Sequence, residues 1–112
     1  MTSRLTMLEK MIERGSNDPF VYYARAMELR GSGRSDEALA AFEEVCARFP
    51  SYVPTYLMAG QLAAEGGAHE RAREFLSKGI AAAKAAGDDH ALSELSAALT
   101  ILPAADSSEG PG

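Results

Sequence analysis

Two stretches of this sequence repeat each other: SDEALAAFEEVCARFP at residues 35–50 and HERAREFLSKGIAAAK at residues 69–84. Ala38 and Ala72 occupy the same place in the two stretches and lie 34 residues apart. A unit that recurs at a fixed period usually buries its apolar face against the next copy of itself. The offset therefore predicts an array of stacked units.

Apolar residues recur along the whole chain at the three- and four-residue spacing that is typical of helices. Leu5, Leu8 and Ile12 form one such stripe near the start. No segment alternates between apolar and polar residues with a period of two, so the sequence predicts no strand. We expect an all-α fold of about six helices, the first at residues 3–14 and the last at residues 88–102.

Short polar residues mark the predicted starts of several helices, where a side-chain oxygen can accept a backbone N–H. Asp18 precedes the second helix and is followed by a proline, which suits a first helical position. We expect Ser35 or Asp36 to cap the third helix and Asp88 or Asp89 to cap the last one.

The composition excludes several classes of function. The chain has 112 residues, a net charge of −5 and scattered basic residues, which disfavours a nucleic-acid partner. Charged residues interrupt its start, and no apolar run approaches the roughly 18 residues that cross a membrane. With one cysteine and no internal disulfide, the sequence predicts a cytoplasmic protein that contacts no membrane.

Residues at matching positions in the two copies resemble the tetratricopeptide-repeat family, whose unit is a 34-residue helix–turn–helix. The matches are an early aromatic residue, a small residue four positions later, a glycine at the turn, an alanine at the helix crossing and a bulky residue after it. These pairs are Tyr22 and Tyr56, Ala26 and Gly60, Gly33 and Gly67, Ala38 and Ala72, and Phe42 and Leu76.

The resemblance implies a short α-solenoid of antiparallel helix hairpins in one domain, residues 1–102. Its parts would be a half-repeat helix at 3–14, repeats at 19–52 and 53–86, a capping helix at 88–102 and a disordered tail at 103–112. The second copy departs further from the family pattern, with Gly79 in place of an alanine. In the first copy Arg25 replaces a leucine, and we expect it to pair with Glu9 or Glu13 of the first helix.

Residues that could carry chemistry are few. His90 and Glu94 lie four residues apart on one helix, but two ligands do not make a zinc site. Cys46 lies on an apolar stripe with no histidine near it in sequence, which is typical of a packed and unreactive thiol. The sequence therefore predicts a protein that is not an enzyme and needs no cofactor or metal.

In the family, the first helix of each hairpin lines a concave groove that holds a peptide or helix of a partner protein. Eight positions of this chain correspond to that groove: Phe20, Tyr23, Met27, Arg30, Leu57, Met58, Gln61 and Glu65. They lack the lysine and asparagine set with which some members clamp a C-terminal carboxylate, so we expect a mainly apolar segment, such as an amphipathic helix.

These residues leave two functions open. One is an adaptor or scaffold that binds another protein in the groove, and the other is an assembly protein that forms a homodimer through the groove or the last helix. It is also open at this point whether the terminal helices fold over the groove residues and bury them.

Overall fold

The computed structural model describes residues 3–103, and these residues form six α-helices and no β-strand. The helices are α1 Arg4–Glu13, α2 Pro19–Gly31, α3 Ser35–Arg48, α4 Pro54–Glu65, α5 His69–Ala86 and α6 Asp89–Thr100. This confirms the predicted all-α fold. The first and last helices are slightly shorter than the predicted ranges 3–14 and 88–102, and the predicted disordered tail lies outside the described residues except for Pro103.

Two of the predicted helix caps are present. The side chain of Asp18 accepts the backbone N–H of Phe20 at 2.9 Å, and that of Asp88 accepts the N–H of Ala91 at 3.0 Å. Each bond satisfies a donor that the first turn of a helix leaves unpaired.

The predicted cap of the third helix was wrong. Ser35 is already the first residue of α3, and Arg34 holds the N-cap position without a side-chain bond to the backbone. Its guanidinium instead donates to both carboxylate oxygens of Glu37, at 2.7 and 2.8 Å. The turn runs through Gly33 at φ 78°, a left-handed conformation that favours glycine, and α3 begins one or two residues earlier than the two predicted caps imply.

Each hairpin is held by small residues where its two helices cross. In the first, between α2 and α3, Ala26 and Ala38 are both 0% exposed and lie in one apolar cluster with Phe42. In the second, between α4 and α5, a Cβ added to Gly60 would lie 2.6 Å from Cδ2 of Leu76. The helices therefore approach so closely that a larger residue at these positions would force them apart.

The two hairpins share one core. A single apolar cluster runs from Ala26 and Leu29 of α2 to Leu62 of α4 and Phe75 of α5. A second cluster joins α4 and α5 to Leu95 of α6, which is 1% exposed. The packing order therefore follows the chain order, as in a solenoid in which each unit contacts its neighbours.

Arg25 does not reach the first helix. Its guanidinium lies 3.5 Å from a carboxylate oxygen of Glu44 on α3, so the predicted pairing with Glu9 or Glu13 was wrong. The α1-facing side of α2 is occupied by Val21 and Ala24, which pack against Leu8. Arg25 lies on the α3 side of the helix, about 100° from Ala24, because successive residues of a helix are separated by that angle.

In the described residues, no helix is both long enough and apolar enough to span a membrane.

Candidate functional site

A cleft of about 270 Å³ opens where α2, α4 and α6 meet. We call it the α2–α4–α6 cleft. Its lining comes from both repeats and from the last helix: Tyr23, Val53, Pro54, Leu57, Met58, Asp88, His90, Ala91, Glu94 and Leu95. Because three separate helices contribute to it, the cleft depends on the stacking of the array.

Apolar side chains form the floor of the cleft. Leu57 and Met58 of α4 are half-buried there, beside the fully buried Leu95 of α6. Tyr23 is held by aromatic neighbours, with its ring centroid 5.6 Å from that of Tyr52 and 6.3 Å from that of Phe42. Such tilted aromatic pairs favour a fixed ring position. The floor is therefore a preformed apolar surface.

The surroundings of Tyr23 also affect its ionisation. Burial raises the pKa of the Tyr23 phenol above its ordinary value, nearby Tyr52 raises it further, and the positive Arg30 opposes both. Tyr23 therefore stays neutral at physiological pH and can donate its O–H to a bound segment.

The charged groups of the cleft are acidic. Asp88 and Glu94 line it, with an oxygen of Glu94 lying 3.5 Å from Nε2 of His90. A third carboxylate, Asp18, adds to the effect of burial in raising the pKa of Tyr52, which packs against Tyr23. No lysine or arginine lines the described part of the cleft, so its rim attracts positive charge.

Of the eight predicted groove residues, the structure brings Tyr23, Leu57 and Met58 together in this cleft. Met27 lies one turn beyond Tyr23, half-buried against the central cluster. Phe20 lies one turn before Tyr23 and is 52% exposed, outside the cleft lining. The predicted groove is thus partly a cleft and partly open surface.

Two of the remaining polar residues of the prediction, Arg30 and Glu65, form a small network between the two repeats beside the cleft. Arg30 donates from Nη2 to Glu65 at 3.1 Å and from Nη1 to the sulfur of Met58 at 3.5 Å. Gln61 is exposed on the turn before Glu65. Because Glu65 offsets the charge of Arg30, this network leaves the acidic rim as the main charge near the cleft.

The contribution of α6 to this site was not predicted from the sequence. The leucine stripe of α6 predicted a capping helix, and it does pack on the array through Leu95. The same helix turns His90, Ala91 and Glu94 toward Tyr23 and Met58. The available signal was the pair His90 and Glu94, four residues apart on one face, but the sequence does not specify which neighbouring helix that face meets.

A larger cleft of about 420 Å³ lies between α3 and α5. Its lining includes Cys46, Arg71 and Glu43, of which the last two form an ion pair. Burial raises the pKa of the Cys46 thiol to about 11, with a small opposing effect from Lys78. A thiol protonated at neutral pH is a poor nucleophile, so this cleft offers no reactive group of that kind.

No group of three or more histidine, cysteine, aspartate or glutamate side chains is placed to hold a metal ion among residues 3–103. His90 and Glu94 lie together at the rim of the cleft, where they form a pair without a third ligand in the described structure.

Comparison with known proteins shows which family has this architecture. The family model described as tetratricopeptide repeat matches residues 29–99. No curated protein matches the sequence significantly. A tetratricopeptide repeat domain protein from Salinibacter ruber, solved by NMR, is 36% identical, with 74% of this chain and 84% of that chain covered and a TM-score of 0.71.

Its crystal structure gives the same identity, with 74% of this chain and 93% of that chain covered and a TM-score of 0.70. A protein from Bordetella parapertussis solved in solution is 24% identical, covers 97% of this chain and 95% of its own, and has a TM-score of 0.78, which shows a shared fold. With a family model that matches more than half of the sequence, this chain belongs to the tetratricopeptide-repeat family.

Proposed function

We propose that this protein is a non-catalytic adaptor that binds a segment of a partner protein in the α2–α4–α6 cleft. The observation that carries the proposal is the cleft itself, in which an apolar floor at Tyr23, Met58 and Leu95 meets a rim of carboxylates. Concave apolar sites with a few convergent polar groups are the usual form of a binding site.

Membership of the family supports this proposal. Tetratricopeptide-repeat domains are commonly protein-interaction modules, and the family is generally non-catalytic. The one cysteine of the chain adds no activated thiol, because burial raises its pKa to about 11. A single unpaired cysteine also suits a reducing compartment, and we place the adaptor in the cytoplasm.

The chemistry of the cleft defines the partner segment. Apolar side chains of the partner would cover the floor at Leu57 and Met58, as anchors of an amphipathic helix do in a groove. Lysine or arginine beside those anchors would face Asp88 and Glu94, and opposite charges across a rim increase association rates and select the partner. We therefore expect a short apolar segment flanked by basic residues.

A peptide titration tests this function. The probes are two synthetic helical peptides with the same leucine anchors, one flanked by lysine and the other by glutamate. Amide chemical shifts of the full chain would report where each probe binds. The lysine peptide should shift residues around Leu57 and Ala91, and we expect Glu94→Lys to weaken its binding by about tenfold.

Glu74→Lys provides the matched control. It makes the same charge change on α5, at an exposed position that lines the cleft between α3 and α5, and should leave the affinity for the lysine peptide within about twofold. Equal losses in the two variants would show a nonspecific charge effect. Absence of shifts around Leu57 would exclude the cleft as the binding site.

Self-association is the competing outcome. If a second copy of the chain occupies the cleft, the molar mass by light scattering should double as the protein concentration rises, and shifts around Leu57 should appear without any peptide. That result would replace the adaptor with an assembly protein.

A further inference from the structure

The helix α1 has the position of the second helix of a repeat. At the 34-residue offset, Leu8 of α1 matches Phe42 of α3 and Leu76 of α5, and the three are 8%, 0% and 2% exposed. Leu8 packs against Val21 and Ala24 of α2, the next helix along the chain. The inner face of α1 is therefore covered by α2.

The neighbouring face of α1 is not covered by any other part of residues 3–103. Met7 and Met11 match Ala41 and Val45 of α3 at the same offset. Ala41 and Val45 are 3% and 0% exposed, whereas Met7 and Met11 are 55% and 45% exposed. The same repeat positions are thus buried in one helix and open in the other.

Packing of α5 shows what normally covers these positions. Gly79 is the α5 counterpart of Met11, and a Cβ added there would lie 2.5 Å from Cβ of Tyr56 on α4 and 2.9 Å from Cδ2 of Leu95 on α6. The α5 counterpart of Met7 is Phe75, which lies in one cluster with Ala59 and Leu62 of α4. In α5 these positions are therefore covered largely by the first helix of their own repeat, and among the described residues no such helix lies on α1.

Basic residues flank the two methionines. Arg4, Lys10 and Arg14 lie with Met7 and Met11 within an arc of about 120° of the helix, since successive residues turn by about 100°. Arg4 lies 3.4 Å from Glu28, and neither Lys10 nor Arg14 forms an ion pair with another described residue. The exposed face of α1 is therefore apolar along its middle and positively charged beside it.

We infer that this face of α1 is a second docking site, which takes an amphipathic helix of a partner protein that carries acidic residues beside its apolar stripe. The occupant lies on α1 as the first helix of a repeat lies on its second helix, with its apolar side chains on Met7 and Met11. Its carboxylates face Lys10 and Arg14, which gives the charge complementarity that selects a partner.

The charges disfavour a second copy of the chain as occupant. Two α1 helices that packed antiparallel through Met7 and Met11 would bring the basic flanks of both helices together, and like charges in an interface are unfavourable. The charge beside this site is also opposite in sign to that of the α2–α4–α6 cleft, because the acidic Asp88 and Glu94 line the rim of that cleft. The two sites would therefore select segments of opposite charge.

A test uses the full chain and a synthetic amphipathic helix of about four turns with a leucine stripe and glutamate flanks. Amide shifts should map this peptide to α1, around Met7 and Met11. The double variant Lys10→Glu and Arg14→Glu should weaken the acidic peptide by about tenfold or more, and circular dichroism would show that the fold is kept.

The matched control is Lys84→Glu with Lys78→Glu, the same charge change on α5 far from α1 in the array, which should leave the affinity unchanged within about twofold. Shifts of the acidic peptide at Leu57 and Ala91, or no saturable binding, would overturn the inference. A molar mass that doubles as the protein concentration rises would also overturn it, because it identifies a second copy of the chain as the occupant. Binding to anionic vesicles that competes with the peptide would overturn it as well, because it identifies a membrane surface.

Discussion

The terminal helices at the two ends of the described array differ in how completely they bury their apolar side chains. At the C-terminal end α6 packs on α4 and α5 through Leu95, which is 1% exposed. At the N-terminal end α1 buries only Leu8 and leaves Met7 and Met11 open. Because each unit of a solenoid is stabilised by its neighbours, the closed end should hold the array together and the open end should remain available for binding.

Shortening a buried side chain at the closed end should have the largest effect on stability. Leu95→Ala removes a fully buried side chain between α4, α5 and α6, and we expect a loss of about 2–5 kcal/mol in the free energy of unfolding, measured in urea. The matched change Met7→Ala at the open end should alter it by less than about 0.5 kcal/mol. Equal losses in the two variants would contradict the difference between the ends.

A substitution that adds a methyl group should sharpen the same comparison. In Gly79→Ala the new Cβ would meet Cβ of Tyr56 at 2.5 Å and Cδ2 of Leu95 at 2.9 Å, so α5 must move away from α4. We expect a net loss of about 1–2 kcal/mol after allowing for the better helix propensity of alanine.

Gly31→Ala is the control for that change, because a Cβ at Gly31 meets nothing within 4 Å. It should leave the midpoint of thermal unfolding unchanged or raise it slightly. If Gly79→Ala is as well tolerated as Gly31→Ala, the close packing of α5 on α4 does not stabilise the C-terminal end of the array.

Removal of a helix cap should have the smallest effect. Asp88→Ala deletes the bond to the N–H of Ala91 and should cost about 1 kcal/mol, because α6 unfolds together with the array. Ser3→Ala deletes the equivalent bond to the N–H of Thr6 at the start of α1. There we expect less than about half that loss in global stability, because α1 can fray locally while the rest stays folded. Urea denaturation of both variants checks this order.

Much of the fold could be predicted from the sequence because its signals are local or periodic. Ala38 and Ala72 mark the helix crossing in each repeat, and the helical spacing between glycine and proline turns marks six helices. Asp18 and Asp88 cap the helices that follow them because an N-cap needs only residues within one turn.

The parts that depend on which surfaces meet could not be predicted in the same way. Arg25 pairs with Glu44 of α3 and not with α1, since the partner is set by the rotation of α2 in the array. The residues that α6 adds to the cleft depend on where α6 begins. That point is set by the length of α5, which has 18 residues where α3 has 14. The groove residues Tyr23 and Met58 were predicted from family resemblance, and their role in binding stays a prediction.

Native-state hydrogen exchange, followed amide by amide, tests the difference between the two ends most directly. This account predicts that amides of α6 around Leu95 exchange almost as slowly as those of α4 and α5, and that amides of α1 around Leu8 exchange much faster. Slow exchange throughout α1, with fast exchange in α6, would contradict it and would show that the open end is the more stable one.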